Sequence, residues 1–331
     1  MGSSQTLKIF SREDIRAALP MREAVAAMKD AFLAVSAKSA AIPPRTHVRI
    51  PEYQGDALFM PSYSPDLGRM GLKIVTLCAG NREKGLPLIQ ELVVLLDAAT
   101  GAPLAVMEGA VLTAIRTGAA SGAATDALAR PDAATVAVFG AGVQAATQLE
   151  AVCTARDVRK AAVFDVDGGL AAEFAATMQQ RLGIVVESSA SSADALAAAD
   201  IVCTATTSQI PVFADEELAP GTHINAIGSY KPHVREIPPA TVARARVVVD
   251  QIEAAWQEAG DLIMARDEGL IDERHVHSEL GQILRGEKPG RETPEQVTFF
   301  KSVGLAVQDL AAACAVLKNG NRLGLGTTVS L

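Results

Sequence analysis

Gly140-Ala141-Gly142-Val143-Gln144-Ala145 stands directly after the aliphatic run Thr135-Val136-Ala137-Val138-Phe139 and opens an alanine-rich segment. A strand that turns on glycine into a helix is the arrangement that takes up a dinucleotide pyrophosphate. The first glycine permits the tight turn, the second lets the backbone approach the phosphates, and a small third residue lets helix and strand pack closely. Gly140, Gly142 and Ala145 fill these places, and the helix that begins at Val143 and Gln144 turns its free N–H groups and positive dipole end to the phosphates. The spacing also occurs in ordinary glycine turns; its place between strand and helix gives it weight. Asp165 follows about 20 residues beyond the loop, where an acid holds the adenosine ribose hydroxyls and repels a 2′-phosphate. NAD(H) is therefore expected over NADP(H), with Asp167 competing for the role and Arg159 and Lys160 just before the strand. In Thr204-Ala205-Thr206-Thr207-Ser208, the hydroxyls of Thr204 and Thr206 either line the cofactor cleft or belong to a polar loop.

Other chemistry has less support. Cys78, Cys153, Cys203 and Cys314 are far apart with no CxxC pattern, which predicts free thiols rather than a metal or redox site. His47, His223, His233, His275 and His277 have no metal-ligand spacing. With 38 acidic against 30 basic residues, the formal net charge of -8 leaves no electrostatic footprint for nucleic acid. No apolar run reaches the roughly 18 residues that span a bilayer, and no signal-peptide pattern opens the chain, so no membrane partner and a cytoplasmic location are expected. The first six residues formally fit a myristoylation pattern, but one short enough to recur by chance.

The elements that must position these residues are legible as periods. With 49% apolar and 4% aromatic residues in 331, the composition suits helices packed on a buried parallel sheet, an α/β class. Ser11 reads as a helix start, and Met21 to Ala37 continues as a second helix. Strand-like runs follow at His47 to Ile50, Ala57 to Met60, Gly71 to Thr76, Leu92 to Asp97 and Leu104 to Met107, expected to form one sheet with a hairpin closed by Gly101. Val111 to Arg130 reads as a helix ending at a domain boundary, Arg130-Pro131-Asp132. From Thr135 to Asp250 strands and helices alternate, the pattern of a doubly wound Rossmann sheet. Phe299 to Lys318 reads as one segment that becomes an amphipathic helix and returns to the first domain. The expected organisation is a smaller α+β substrate-binding and dimerisation domain (1–130 and 305–331) beside an NAD-binding Rossmann domain (131–304).

Across nearly its whole length the chain resembles the ornithine cyclodeaminase and mu-crystallin family. The carriers are Pro44-Arg45, Met60-Pro61, Gly71-Leu72-Lys73, Lys84-Gly85-Leu86-Pro87, Arg116-Thr117-Gly118-Ala119, the Gly140 loop, Asn225-Ala226-Ile227-Gly228 and Lys301-Ser302-Val303-Gly304. The resemblance implies a homodimer joined through sheets of the first domain, and substrate held between that domain and the nicotinamide. It places Arg45, Lys73 and Arg116 around a substrate carboxylate, which guanidinium forks grip bidentately and an ammonium supports as charge and proton donor. It puts Thr117, Ile227, Gly228 and Ser302 with the cofactor and Val303 near the substrate side chain. Read singly, the three cations are as well explained as salt-bridge residues. His47, two residues from Arg45, is either a proton shuttle on the same strand face or structural.

Departures from the family narrow the activity. The cyclodeaminase aspartate proposed as general base has no counterpart at Tyr230, and its glutamate is replaced by Leu58. Without them an ornithine ammonium lacks a partner and the expected base is absent. The resemblance then implies an NADH-dependent reductase of a small α-imino acid, a ketimine such as Δ1-pyrroline-2-carboxylate or an acyclic imine. An alanine-type amino-acid dehydrogenase is the nearest alternative, with ornithine cyclodeaminase and a non-enzymatic NAD-binding protein behind it.

Overall fold

The computed structural model describes residues 5–331; the start of the short myristoylation-like pattern, residues 1–4, lies outside them. Among the described residues the first half carries β1 (Thr6–Phe10), α1 (Arg12–Ala18), α2 (Met21–Ser36), β2 (Thr46–Ile50), β3 (Gly55–Ser64), β4 (Arg69–Cys78), β5 (Ile89–Asp97), β6 (Pro103–Glu108) and α3 (Gly109–Leu128). The alternating region runs β7 (Thr135–Phe139), α4 (Val143–Ala155), β8 (Lys160–Phe164), α5 (Gly168–Leu182), β9 (Val185–Ser188), α6 (Ser192–Leu196), β10 (Ile201–Thr204) and β11 (His223–Ala226). It continues through α7 (Pro239–Arg244), β12 (Arg246–Val249), α8 (Ile252–Glu258), α9 (Gly260–Asp267), β13 (Val276–Glu279), α10 (Leu280–Leu284) and β14 (Thr298–Lys301), and ends with α11 (Ala306–Leu323) and β15 (Thr327–Ser330).

The chain forms two compact units, Met1–Arg116 with Leu305–Leu331, and Thr117–Gly304. The division falls inside α3, and Arg130-Pro131-Asp132 marks that helix's end. In the first unit a seven-stranded sheet runs β15-β1-β6-β5-β4-β3-β2. Its centre is an antiparallel meander from β2 to β6, with Gly101 at φ 73° in the β5–β6 turn as expected. One sheet face packs under α11. Gly71 lies so close to Leu310 that a Cβ would stand 3.1 Å from its Cδ1, and Ser62 Oγ donates to the Ala306 carbonyl at 3.2 Å. β1 and β15 escaped the sequence reading: β1 pairs parallel with β6 and antiparallel with β15, partners roughly a hundred and three hundred residues away that leave no local period.

The second unit holds a fully parallel eight-stranded sheet, ordered β13-β12-β14-β11-β10-β7-β8-β9. Chain direction from β7 leads first to β8 and β9 on one side, then to β10 and β11 on the other. The switch point therefore lies between β7 and β10, where ligands of such sheets bind. The start of the segment read from Phe299, to which the sequence reading gave no strand, is one: Phe299 and Phe300 lie fully buried in β14 between β11 and β12. An apolar run of this length is ambiguous between strand and helix, and Gly304 at φ 82° separates it from α11. No helix among the described residues is long and apolar enough to cross a membrane.

Candidate active site

In the first unit, cross-strand register decides which side chains meet. Lys73 of β4 pairs with Met60 of β3 and Val93 of β5, while Val75 pairs with Leu58 and Glu91. These residues share the face under α11, because directly opposed residues of antiparallel strands point the same way. Lys73 is 4% exposed and Arg116 5%, so both cations need partners. Lys73 Nζ donates to Thr113 Oγ1 at 2.7 Å and lies 3.0 Å from Glu91 Oε2 and 3.5 Å from Asp309 Oδ1. Arg116 Nε donates to the same Asp309 oxygen at 3.0 Å, and its Nη1 to Gln308 Oε1 at 2.9 Å. Thr113 in turn donates to Glu91 Oε2. Two cations and two carboxylates are thus gathered by β4, β5, α3 and α11. Asp309 Oδ2 and Gln308 Nε2, both buried, have no hydrogen-bond partner.

Arg45 stands one residue before β2, whose first pair is Thr46 with Phe59, and the register carries it toward the row of Met60 and Lys73. His47 pairs with Leu58 on the same face as Arg45, but its ring is half-exposed and its Nε2 meets Asp56 Oδ1 at 2.8 Å.

Four residues of this cluster had not been singled out in the sequence: Glu91, Thr113, Gln308 and Asp309. Glu91 carried a signal, since it shares the alternation phase of buried Val93 and Leu95 while Leu92, out of phase, is 47% exposed. An acid in the inward phase of a strand must be paired. Asp309 lies in a helix buried on nearly every side, where periodicity carries no information.

In the second unit the glycine turn forms as the spacing predicted. Gly140 adopts φ 96°, and a Cβ there would lie 2.7 Å from the Ala205 carbonyl oxygen. Gly142 caps α4 without any side-chain hydrogen bond, a Cβ on it would meet nothing within 4 Å, and Val143 at the first helical position is 72% exposed. Open backbone N–H groups beside a glycine facing open space fit a pyrophosphate. Gln144 follows in the first turn, and Ala145 is fully buried against the strand. Thr117 passes its carbonyl to Gln148 Nε2 at 3.2 Å, and Gly118 allows α3 to approach α4, where a Cβ would sit 2.4 Å from the Thr147 carbonyl oxygen.

The two candidate acids separate cleanly. Asp165 Oδ2 accepts the Ala141 N–H of the turn at 2.9 Å, whereas Asp167 caps α5 through the N–H groups of Gly169 and Leu170. The hydroxyls of Thr204 and Thr206 share one acceptor. Both donate to Glu236, a fully buried carboxylate that also accepts the N–H groups of Thr206, Gly228 and Ser229. Five donors on one acid staple the loops after β10 and β11, and with them Ile227 and Gly228, at the carboxyl edge of the sheet. Burial pushes the Glu236 carboxyl above the usual range. Asp261 supports the same corner, accepting the N–H groups of Glu236 and Ile237 and pairing with buried Lys301 at 2.8 Å. Asp250, also raised by burial, accepts Ser302 Oγ and the N–H groups of Val303 and Gly304 at 2.8 to 2.9 Å. No group of three or more potential ligands among the described residues is placed to hold a metal ion.

A glycine turn at the switch point of a parallel sheet, with an acid at the end of the second strand, defines a Rossmann-like dinucleotide-binding α/β fold. The chain belongs to the ornithine cyclodeaminase/mu-crystallin family, whose sequence model matches residues 6–322. It is 40% identical over 322 residues to a Δ1-pyrroline-2-carboxylate reductase of Bacillus cereus, covering 97% of this chain and 99% of that one. The solved Δ1-pyrroline-2-carboxylate reductase of Thermococcus litoralis, in complex with NADH and L-proline, superposes with a TM-score of 0.92 at 41% identity, covering 97% of this chain and all of that one. An archaeal alanine dehydrogenase dimer with bound NAD gives 0.91 at 34% identity, covering 99% of this chain and all of that one.

Proposed function

We propose that the protein is an NADH-dependent reductase of a small cyclic α-imino acid, with Δ1-pyrroline-2-carboxylate as the leading substrate. The observation that carries this reading is the buried cluster of Lys73, Arg116, Gln308 and Asp309. Its cations suit a carboxylate, and the unpartnered Gln308 Nε2 and Asp309 Oδ2 offer one donor for a carboxylate oxygen and one acceptor for a protonated imine nitrogen. Arg45 completes the carboxylate grip, and Val303 bounds the substrate side chain.

NADH, when bound, supplies the hydride that reduces the imine carbon. The Gly140–Ala145 turn holds its pyrophosphate, Asp165 the adenosine ribose, and the loops stapled by Glu236 its nicotinamide half, with Thr117 and Ser302 beside them. Arg116 orients the substrate, and Lys73 keeps a proton beside the reacting nitrogen. Fixing these groups in place contributes most of the rate, because a protonated imine is already electrophilic.

The protein is further proposed to work as a homodimer joined through the outer face of the first unit's sheet. Ile9, Val48, Tyr63 and Leu92 all project from that face and are 39 to 47% exposed, an apolar patch of the kind that marks an interface.

NADH oxidation followed at 340 nm tests the activity. Turnover of Δ1-pyrroline-2-carboxylate or Δ1-piperideine-2-carboxylate without added amine supports the reading. Turnover of pyruvate only with ammonia would move the assignment to an amino-acid dehydrogenase, the second reading, which the similarity to alanine dehydrogenase favours.

A further inference from the structure

Reduction of a protonated imine converts the C=N π pair into a lone pair on nitrogen, and the amine so formed takes up a proton. The reverse oxidation must remove that proton first. A base at the position of Tyr230 is absent, so the proton needs another route. The first unit contains one. Lys73 Nζ donates to Thr113 Oγ1, and Thr113, with its single hydrogen committed to Glu91 Oε2, turns its lone pairs to the ammonium. The two hydrogen bonds are therefore ordered in one direction, from ammonium through hydroxyl to carboxylate, beside the direct 3.0 Å contact of Lys73 Nζ with the same Glu91 oxygen.

We infer that Glu91 and Thr113 are positioning residues that return a proton to Lys73 during turnover. The inference deepens the reductase reading and rests on it. In the reductive direction the Lys73 ammonium gives a proton to the new amine. The Thr113 hydroxyl gives its own to the Lys73 amine, the protonated Glu91 carboxyl replaces the one Thr113 lost, and solvent replenishes Glu91. In the oxidative direction each transfer runs backwards and the proton leaves through Glu91.

The charged groups that face Lys73 are Glu91 from β5, Asp309 from α11 and Arg116 from α3, with Arg45 ahead of β2, while Met60 and Leu58 of β3 and Val93 of β5 are apolar.

The test uses the full-length enzyme with Glu91→Gln, Thr113→Val and Thr113→Ser, first confirming that the unsubstituted enzyme reduces Δ1-pyrroline-2-carboxylate. Glu91→Gln and Thr113→Val are expected to lower kcat by roughly a hundredfold without raising KM for the imino acid, and Thr113→Ser to restore kcat. An unchanged kcat, a rise in KM matching the loss of kcat, or failure of serine to rescue would overturn the inference while leaving the reductase reading standing. An unsubstituted enzyme inert toward every imino acid would remove the reading, and this inference with it.

Discussion

Asp165 accepts the backbone N–H of Ala141 at 2.9 Å, so the acid at the end of β8 is fixed against the glycine turn rather than free in solvent. Replacing it with alanine is expected to weaken NADH binding by roughly tenfold or more, the worth of a charge-assisted hydrogen bond, and to narrow the preference over NADPH. Fluorescence titration with both cofactors checks this. Unchanged affinities would take Asp165 out of the ribose site.

Arg116 shares one carboxylate oxygen with Lys73. Arg116→Ala should abolish imino-acid turnover and leave NADH affinity within about twofold, while thermal stability falls because Asp309 loses its closest partner. Parallel loss of NADH binding would show that Arg116 serves the fold rather than the substrate.

Glu236 is predicted to matter for the cofactor out of proportion to its distance from any surface. Glu236→Gln keeps the shape but forces an NH2 group among N–H and O–H donors, and NADH affinity should fall by roughly tenfold. Asp200→Asn is the control. Asp200 performs a similar stapling of Ala134 and Thr135 at the opposite edge of the same sheet, so its variant should lose stability without losing cofactor affinity. Equal effects of the two substitutions on NADH affinity would refute the assignment.

His223 gives the fold an acid limit. Its ring lies buried between Thr298 Oγ1 and Asn225 Oδ1, and burial, reinforced by the Arg291 charge, pushes its pKa down to about 3. An unfolded histidine protonates near 6.5, so between these values the unfolded chain binds the extra proton. Stability from this group is complete above about pH 6.5 and is lost as pH falls toward 3, at no more than about 1.4 kcal/mol per pH unit. Glu236 and Asp250, raised by burial, act in the opposite sense as pH rises, so the difference between proteins is the useful quantity. The stability gap between the unsubstituted protein and His223→Gln should narrow from pH 7.5 to pH 5, measured by urea unfolding. A constant gap would mean that His223 titrates normally.

Much of this was legible in the sequence because it was local. The glycine turn, α4 from Val143 to Ala155 and the meander strands all announce themselves within a dozen residues. What stayed hidden was what distant segments do to one another. β1 is a strand only because β6 and β15 flank it, and Glu91 matters only because β4 and α3 bring Lys73 and Thr113 to it. The partner of the Thr204 and Thr206 hydroxyls stayed hidden for the same reason, since nothing near them in the chain reveals Glu236 some thirty residues later. Asp165 and Asp167 could be told apart only once backbone N–H groups were seen on each.

Asp250 holds the segment before α11 through two backbone N–H groups and one serine hydroxyl, while the Val303 side chain packs into the core of the second unit. Backbone and side chain are held there by separate means, so a change of size at residue 303 is felt in the packing while the turn of the chain keeps its anchor. Descendants of this sequence, natural or selected in the laboratory, can therefore trade volume at that position against its neighbours without losing the course of the loop.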